Sequence, residues 1–266
     1  MKRYRVGLIG FGAIGQDVVS LIERNLGASV DVPLVLARKK RPGSRPPVTD
    51  DPSAFFVAGL DAVIEGAGHE ALQAHGRRAL ESGAHLVVTS SGAFAADPAL
   101  LGHLSDAARQ SGRKLLIASA GIGAVDILAA AAEGGIDSVR MTVRKDPTAW
   151  RGTAAEGKFD LERMTGPTVI FEGNAREGAA LYPKNVNISA TVALAGIGLD
   201  RTQLIIVADP TITTHVVEVE AEGVFGRFSF REDVEISDTN PKTGKLVAMA
   251  VVKTIRHLAG PVVIGA

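Results

Sequence analysis

The sequence predicts an α/β protein, with an N-terminal doubly wound parallel sheet followed by a smaller α+β domain. Three observations carry this. An apolar run over residues 4–9 leads into Gly10, Gly12 and Gly15 and then into a helical apolar pattern. Short apolar runs alternate with helical stretches as far as Ala118, the signature of repeated βα units. Beyond residue 121 the runs change to period-two alternation, which suits half-buried strands of an antiparallel or mixed sheet. The boundaries expected are 1–120 for the first domain, 121–240 for the second, and 241–266 for a C-terminal helix returning to the first.

The first element reads YRVGLIGFGAIG. G-x-G-x-x-G spacing after a strand and before a helix is the dinucleotide-binding turn of a Rossmann domain. Gly10 allows the tight turn, Gly12 lets backbone approach a pyrophosphate, and Gly15 brings helix close to strand. Ala13 and Ile14 open a helix whose free N–H groups and positive end suit a phosphate. Cofactor contacts are therefore expected at Gly10, Gly12, Ala13, Ile14 and Gly15, and the cofactor is NAD or NADP.

Residues 32–37 (VPLVLA) read as the second strand. Such a strand usually ends in an acid that holds the ribose 2′-OH. Here Arg38, Lys39, Lys40 and Arg41 follow instead. Arg38 is positioned to accept a 2′-phosphate, which leaves NADP as well as NAD open, while a solvated basic loop is the alternative. Residues 60–65 (LDAVIE) form the next central strand, and the loop GAGH places Ala67 and Gly68 where nicotinamide and ribose could lie. Helix to Gly83, strand 85–89, helix 98–111 and strand 114–118 complete the sheet.

In the second domain, ASAGIGA leads into the helix VDILAAAAEGG. Strands are expected at 139–144, 168–172 and 203–209, with a hairpin of 213–222 and 224–232 turning at Gly223. Helical runs lie at 174–181 and 188–198. Asn240 as N-cap and Pro241 at N1 open the last helix.

Composition excludes much. Lys plus Arg total 29 against 29 Asp plus Glu, so no overall field favours nucleic acid or an anionic membrane. With no cysteine, disulfides and thiolate chemistry are absent, and no metal-ligand spacing is present. The N-terminus has no signal-peptide pattern and no run is long enough to span a membrane, so a soluble cytoplasmic protein is expected. Acid–base chemistry then falls to histidines, carboxylates and lysines. His75, His85, His103 and His257 read as structural or surface residues, and His69 as either a cleft residue or a helix cap. His215 follows the polar run DPTITT at the start of an alternating strand, and is the candidate acid–base, with a structural histidine as the alternative. In YPKNVN, Asn185 and Asn187 stand at a helix N-terminus able to meet a carboxylate or an amide, or simply to cap the helix. Lys184, Arg144 and Lys145 are candidate partners for anionic groups of a substrate.

GFGAIG, VVTSSGAFA, ASAGIGAVDIL, YPKNVNISATVALAGIG, DPTITTH and NPKTGKLVAMAVV together closely resemble the bacterial and archaeal L-aspartate dehydrogenases, over nearly the whole chain. The resemblance implies a substrate domain related to those of dihydrodipicolinate reductase and homoserine dehydrogenase, and a homodimer. It implies NAD(P)-dependent oxidation of L-aspartate through iminoaspartate to oxaloacetate and ammonia, a route that can feed pyridine nucleotide biosynthesis. It further implies cofactor contacts at Ala124 and at Asn185 or Asn187, and catalysis by His215. A related reductase of the dihydrodipicolinate or homoserine type, and a non-catalytic dinucleotide-binding redox sensor, are the alternatives.

Overall fold

The computed structural model describes residues 3–183, 187–237 and 240–265. The chain divides into two compact units, residues 1–120 with 247–266, and residues 121–246.

The first unit runs β1 (Tyr4–Ile9), α1 (Ala13–Leu26), β2 (Val30–Leu36), β3 (Val48–Thr49), α2 (Pro52–Phe56), β4 (Ala62–Glu65), α3 (His69–Glu81), β5 (His85–Val88), α4 (Ala93–Ala96), α5 (Pro98–Ser111) and β6 (Leu115–Ile117). The sheet order is β3-β2-β1-β4-β5-β6, with every pair parallel. Val6, Leu8, Ala62, Ile64 and Val87 are buried, as expected of parallel strands covered on both faces. The chain steps outward from β1 on one side and from β4 on the other, so the topological switch point lies between β1 and β4. Helix ends follow local chemistry. Asp97 accepts a hydrogen bond from the Ala99 N–H ahead of Pro98, and left-handed Gly112 ends α5.

The second unit contains α6 (Val125–Gly134), β7 (Ile136–Lys145), a 3-10 turn (Pro147–Trp150), β8 (Thr168–Asn174), α7 (Ala175–Leu181), α8 (Asn187–Ala195), β9 (Gln203–Ala208), β10 (His215–Gly223), β11 (Gly226–Val234), β12 (Ile236–Ser237) and β13 (Asn240–Gly244). Its mixed sheet has the order β11-β10-β7-β9-β8, in which only β7 and β9 pair parallel. Along β7 and β10 one set of alternate side chains is buried: Val139, Met141, Val143 and Lys145, with His215, Val217, Val219 and Ala221. Helices α6, α7 and α8 pack against the sheet. The opposite face is charged, with Arg231 bonded to Glu218 at 2.6 Å.

Two expectations are corrected. The hairpin turns at Val224 and Phe225, between paired Gly223 and Gly226, rather than at Gly223 itself. Asn240 and Pro241 do not open the last helix. Residues 240–244 form β13, where Asn240 pairs with Ser237 and Gly244 with Ile236, and the Lys245 N–H donates to Glu235 O. Asn-Pro suits a helix start locally, yet a two-stranded ribbon with β12 takes these residues into the second unit instead. The helix α9 (Leu246–Ala259) begins beyond it. Val251, Val252 and Ile255 of α9 pack in the core of the first unit with Val6, Val18, Ile22 and Val30.

Because Ile255 is fully buried in that core, Ile255→Ala should lower stability by about 2–5 kcal/mol, the range for a truncated buried aliphatic. A urea titration checks it, and a loss below about 1 kcal/mol would show that α9 adds little to the first core.

Candidate functional site

In the first unit the loops at the switch point border a cleft of about 990 Å³. Its wall includes Gly10, Phe11 and Gly12 after β1, Arg38 to Arg41 after β2, Gly66 and Ala67 after β4, and Ala71 and His75 of α3. Gly10 has φ +99°, and Gly12 faces open space, so backbone is all that borders the cleft there. Ala13, Ile14 and Gly15 are not on the wall. They form the first turn of α1, whose N-cap Gly12 offers no side-chain cap, so their contribution is backbone N–H at a positive helix end. Ile14 packs on the core, and a Cβ at Gly15 would meet Gly10 O at 2.6 Å. Bare backbone, uncapped donors and a basic rim fit a dinucleotide pyrophosphate.

Gly68 is also off the wall. Its N–H and that of Ala67 both donate to Glu65 Oε1 at 2.8 Å. Glu65 is 0% exposed and also accepts the Ser90 hydroxyl at 3.0 Å and the Ser90 N–H at 3.3 Å. Burial pushes its carboxyl up, against the pull of these bonds. The Ala67–Gly68 turn is therefore shaped from below by a carboxylate at the end of β4, a role the sequence did not disclose. His69 begins α3, and the N-cap position belongs to Gly68.

At the end of β2, Arg41 lies over the Phe11 ring at 5.1 Å and Lys40 pairs with Asp50 at 3.4 Å. Arg38 and Lys39 are exposed on the cleft rim, with no ion pair among the described residues. His75, expected to be structural, is on the wall, packed against Phe56 at 6.0 Å. Helical spacing from Ala71 carried that signal, since i and i+4 share a face.

The second unit gathers another group at one end of its helix-covered face. His215 begins β10 and is 4% exposed. It pairs with Val234 of β11, and the rung beyond Val216–Arg144 sets it against Lys145 of β7. Lys145 is also 4% exposed, with its Nζ 5.7 Å from the Trp150 ring centroid. Arg144 points to the other face, where Asp209 Oδ2 lies 3.5 Å from its guanidinium. Burial works against the Asp209 charge, but the Thr211 hydroxyl and N–H and Arg144 outweigh it and hold its carboxyl below the usual range. Lys145, not Arg144, is thus the cation beside His215.

Two helices start at this end. Gly196, just past α8, lies against Val139 and Leu128 at the far end of the face. Nine residues of α8 then rise about 13 Å, the span of four strand residues, bringing Asn187 to about the level of Val143. Gly134, at the end of α6, abuts Val224, whereas Gly123, just before α6, lies against the Phe230 ring. Ala124 caps α6 in a left-handed conformation (φ 58°), which costs about 1 kcal/mol in a residue with a Cβ, and no side chain caps this N-terminus. Glu232 of β11 accepts the Gly123 N–H at 3.2 Å. Asn185 and Lys184 lie outside the described residues. A buried lysine and a buried histidine thus lie side by side at one end of this face, near helix N-termini that carry partial positive charge.

Comparison with known proteins gives matches over nearly the whole chain. Residues 126–258 match the family model "Aspartate dehydrogenase, C-terminal", and residues 10–118 match "Homoserine dehydrogenase, NAD binding domain". The chain is 42% identical to the L-aspartate dehydrogenase of Ralstonia pickettii, covering 96% of this chain and 97% of that one. It is 40% identical to the L-aspartate dehydrogenase of Pseudomonas aeruginosa, covering 95% and 96%. Among solved structures, aspartate dehydrogenase from Thermotoga maritima superposes with a TM-score of 0.77 at 23% identity, over 99% of this chain and all of that one. A homoserine dehydrogenase from Thiobacillus denitrificans does so with 0.61 at 15% identity, over 98% of this chain and 75% of that one.

Two outcomes follow from the cleft. Glu65→Ala leaves the Ala67 and Gly68 donors unpaired, so stability should fall by roughly 2–4 kcal/mol, at about 1–2 per donor, and dinucleotide affinity should fall with it. Thermal melting with an NADH titration reads both, and an unchanged melt would show that the turn holds its shape without Glu65. Replacing Arg38 and Lys39 together with Ala should weaken NADP selectively by roughly 1–3 kcal/mol, the scale of lost charge-assisted hydrogen bonds. Equal effects on NAD and NADP would place these side chains away from the 2′ position.

Proposed function

The chain belongs to the L-aspartate dehydrogenase family and is an NAD(P)-dependent oxidoreductase of L-aspartate, and on that premise we propose that His215 is its catalytic acid–base and Lys145 its carboxylate partner. The observation that carries this is the adjacency of buried His215 and buried Lys145 on one face of the second sheet. Neither residue type is buried without a reason, because desolvation disfavours the ammonium and the imidazolium alike.

The bound nicotinamide supplies the two-electron acceptor for the hydrogen leaving Cα. The chain's own residues do the rest. Lys145 and the N-terminus of α8 hold the substrate carboxylates and fix its orientation. His215 takes a proton from the substrate ammonium, so that nitrogen can supply its electron pair as Cα is oxidised to the imine. His215 passes that proton to solvent, accepts another from the water that adds to iminoaspartate, and gives it to the departing nitrogen, while the proton of the new hydroxyl leaves with the ammonia as ammonium, giving oxaloacetate. Atoms balance with one water consumed and one ammonia released. Ala67 and Ala124, with Asn187 or Asn185, are assigned to the cofactor. We place the enzyme in the cytoplasm as a homodimer, with iminoaspartate available to pyridine nucleotide synthesis. No helix among the described residues is long and apolar enough to cross a membrane.

His215→Ala should reduce turnover of L-aspartate by roughly 10²–10⁴-fold, the usual contribution of a positioned acid–base. NADH affinity should move by less than about threefold, under 1 kcal/mol, because the glycine turn belongs to the other unit. Steady-state rates and a fluorescence titration decide it. A variant keeping more than a tenth of wild-type turnover would remove His215 from the chemistry.

A further inference from the structure

Glu232 is a carboxylate in the second unit to which the reaction above gives no role. Its register partner is Val217, and His215 pairs with Val234 two residues along the same strand, so Glu232 and His215 are diagonal neighbours on one face. Oε2 accepts the Gly123 N–H at 3.2 Å, while Oε1 is buried with no hydrogen-bond partner among the described residues. Two residues earlier on β11, the Phe230 ring fills the space a Cβ on Gly123 would need. The loop before α6 is therefore clamped to β11 at one residue by two side chains. The next residue is left-handed Ala124, a conformation that persists only where its surroundings impose it.

We propose that Glu232 is a positioning residue for the reaction: its carboxylate anchors the 121–124 loop and so fixes the N-terminus of α6 at the end of the sheet that holds His215 and Lys145. This rests on the reading of that end as the reacting site. An ionised carboxylate makes a stronger bond to the Gly123 N–H than a neutral acid does, so the anchor tightens as Glu232 ionises. Burial pushes this carboxyl up to about 7, with the Gly123 bond pulling the other way. From β10 it is faced by Val217 and, diagonally, by His215 and Val219. Lys145 lies beyond on β7, Asp126 is exposed in the first turn of α6, and on its own strand Phe230 and Val234 flank it. The anchor therefore tightens as pH rises through about 7.

The sign for stability is opposite. A carboxyl raised in the folded state favours the protonated fold, so its contribution is present below the ordinary carboxylate range and is lost as pH rises through about 7. Glu232→Gln, which keeps an acceptor but never ionises, should melt higher than wild type at pH 8, and the difference should close as pH falls to about 4. The same variant should lose at least fivefold in kcat/KM for L-aspartate at pH 8, and its profile should lose the limb near pH 7. Glu232→Ala should lose tenfold or more, and amide exchange of the 121–124 peptide should quicken severalfold, a readout that needs no turnover. If Glu232→Ala does not fold, Glu232→Gln decides alone. A Glu232→Gln enzyme with the wild-type profile and a rate within twofold would overturn the proposal. So would unchanged exchange at 121–124 in Glu232→Ala. Full activity in His215→Ala would instead overturn the reading of the site, while leaving the exchange result to report on the anchor.

Discussion

Burying a lysine next to a histidine is the constraint around which the second unit is arranged. Lys145 and His215 each lose most of their hydration, and the fold must answer that with geometry. Trp150 lends the face of its ring to the ammonium, and its indole N–H donates to the Lys145 carbonyl at 3.4 Å. Tyr182, where α7 ends, packs edge-on against Trp150 at 5.7 Å and so ties the end of α7 to the same cluster. The starts of α6 and α8 add the positive ends of two helices. Positive groups concentrated in a dry place favour negative charge beside them.

The first unit solves a different problem by similar means. A parallel sheet leaves its strand ends free at the switch point, and glycine lets backbone rather than side chain border the opening. Glu65 shows that the opposite bank is not left loose. One buried carboxylate shapes the turn after β4 through three N–H groups and a hydroxyl, so the cleft has a defined wall on both sides. The basic segment after β2 is not uniform either. Arg41 and Lys40 are engaged with Phe11 and Asp50, which leaves Arg38 and Lys39 as the pair available to a ligand phosphate.

Strain and polarity meet at the loop before α6. A left-handed alanine and a carboxylate with one oxygen unpartnered among the described residues are both unfavourable in a fold selected for stability alone. They meet at Gly123, the residue between them, which is where the proposed anchor acts.

Local pattern determined much of this protein. Strand and helix periods, the glycine turn, the Asp97-Pro98 start of α5 and the alternation along β7 and β10 are all legible within a window of about ten residues, because each depends on neighbours in the chain. Tertiary structure decided what local pattern leaves degenerate. Asn-Pro opens a helix or borders a ribbon equally well, and only pairing with β12 settled it. Residues 145, 215 and 232 meet because strands far apart in sequence share one register, and no short window encodes a register. The same holds for burial. Glu65 and Glu232 read as ordinary acids in a strand until packing removes their water, and it is that loss of water which sets their chemistry.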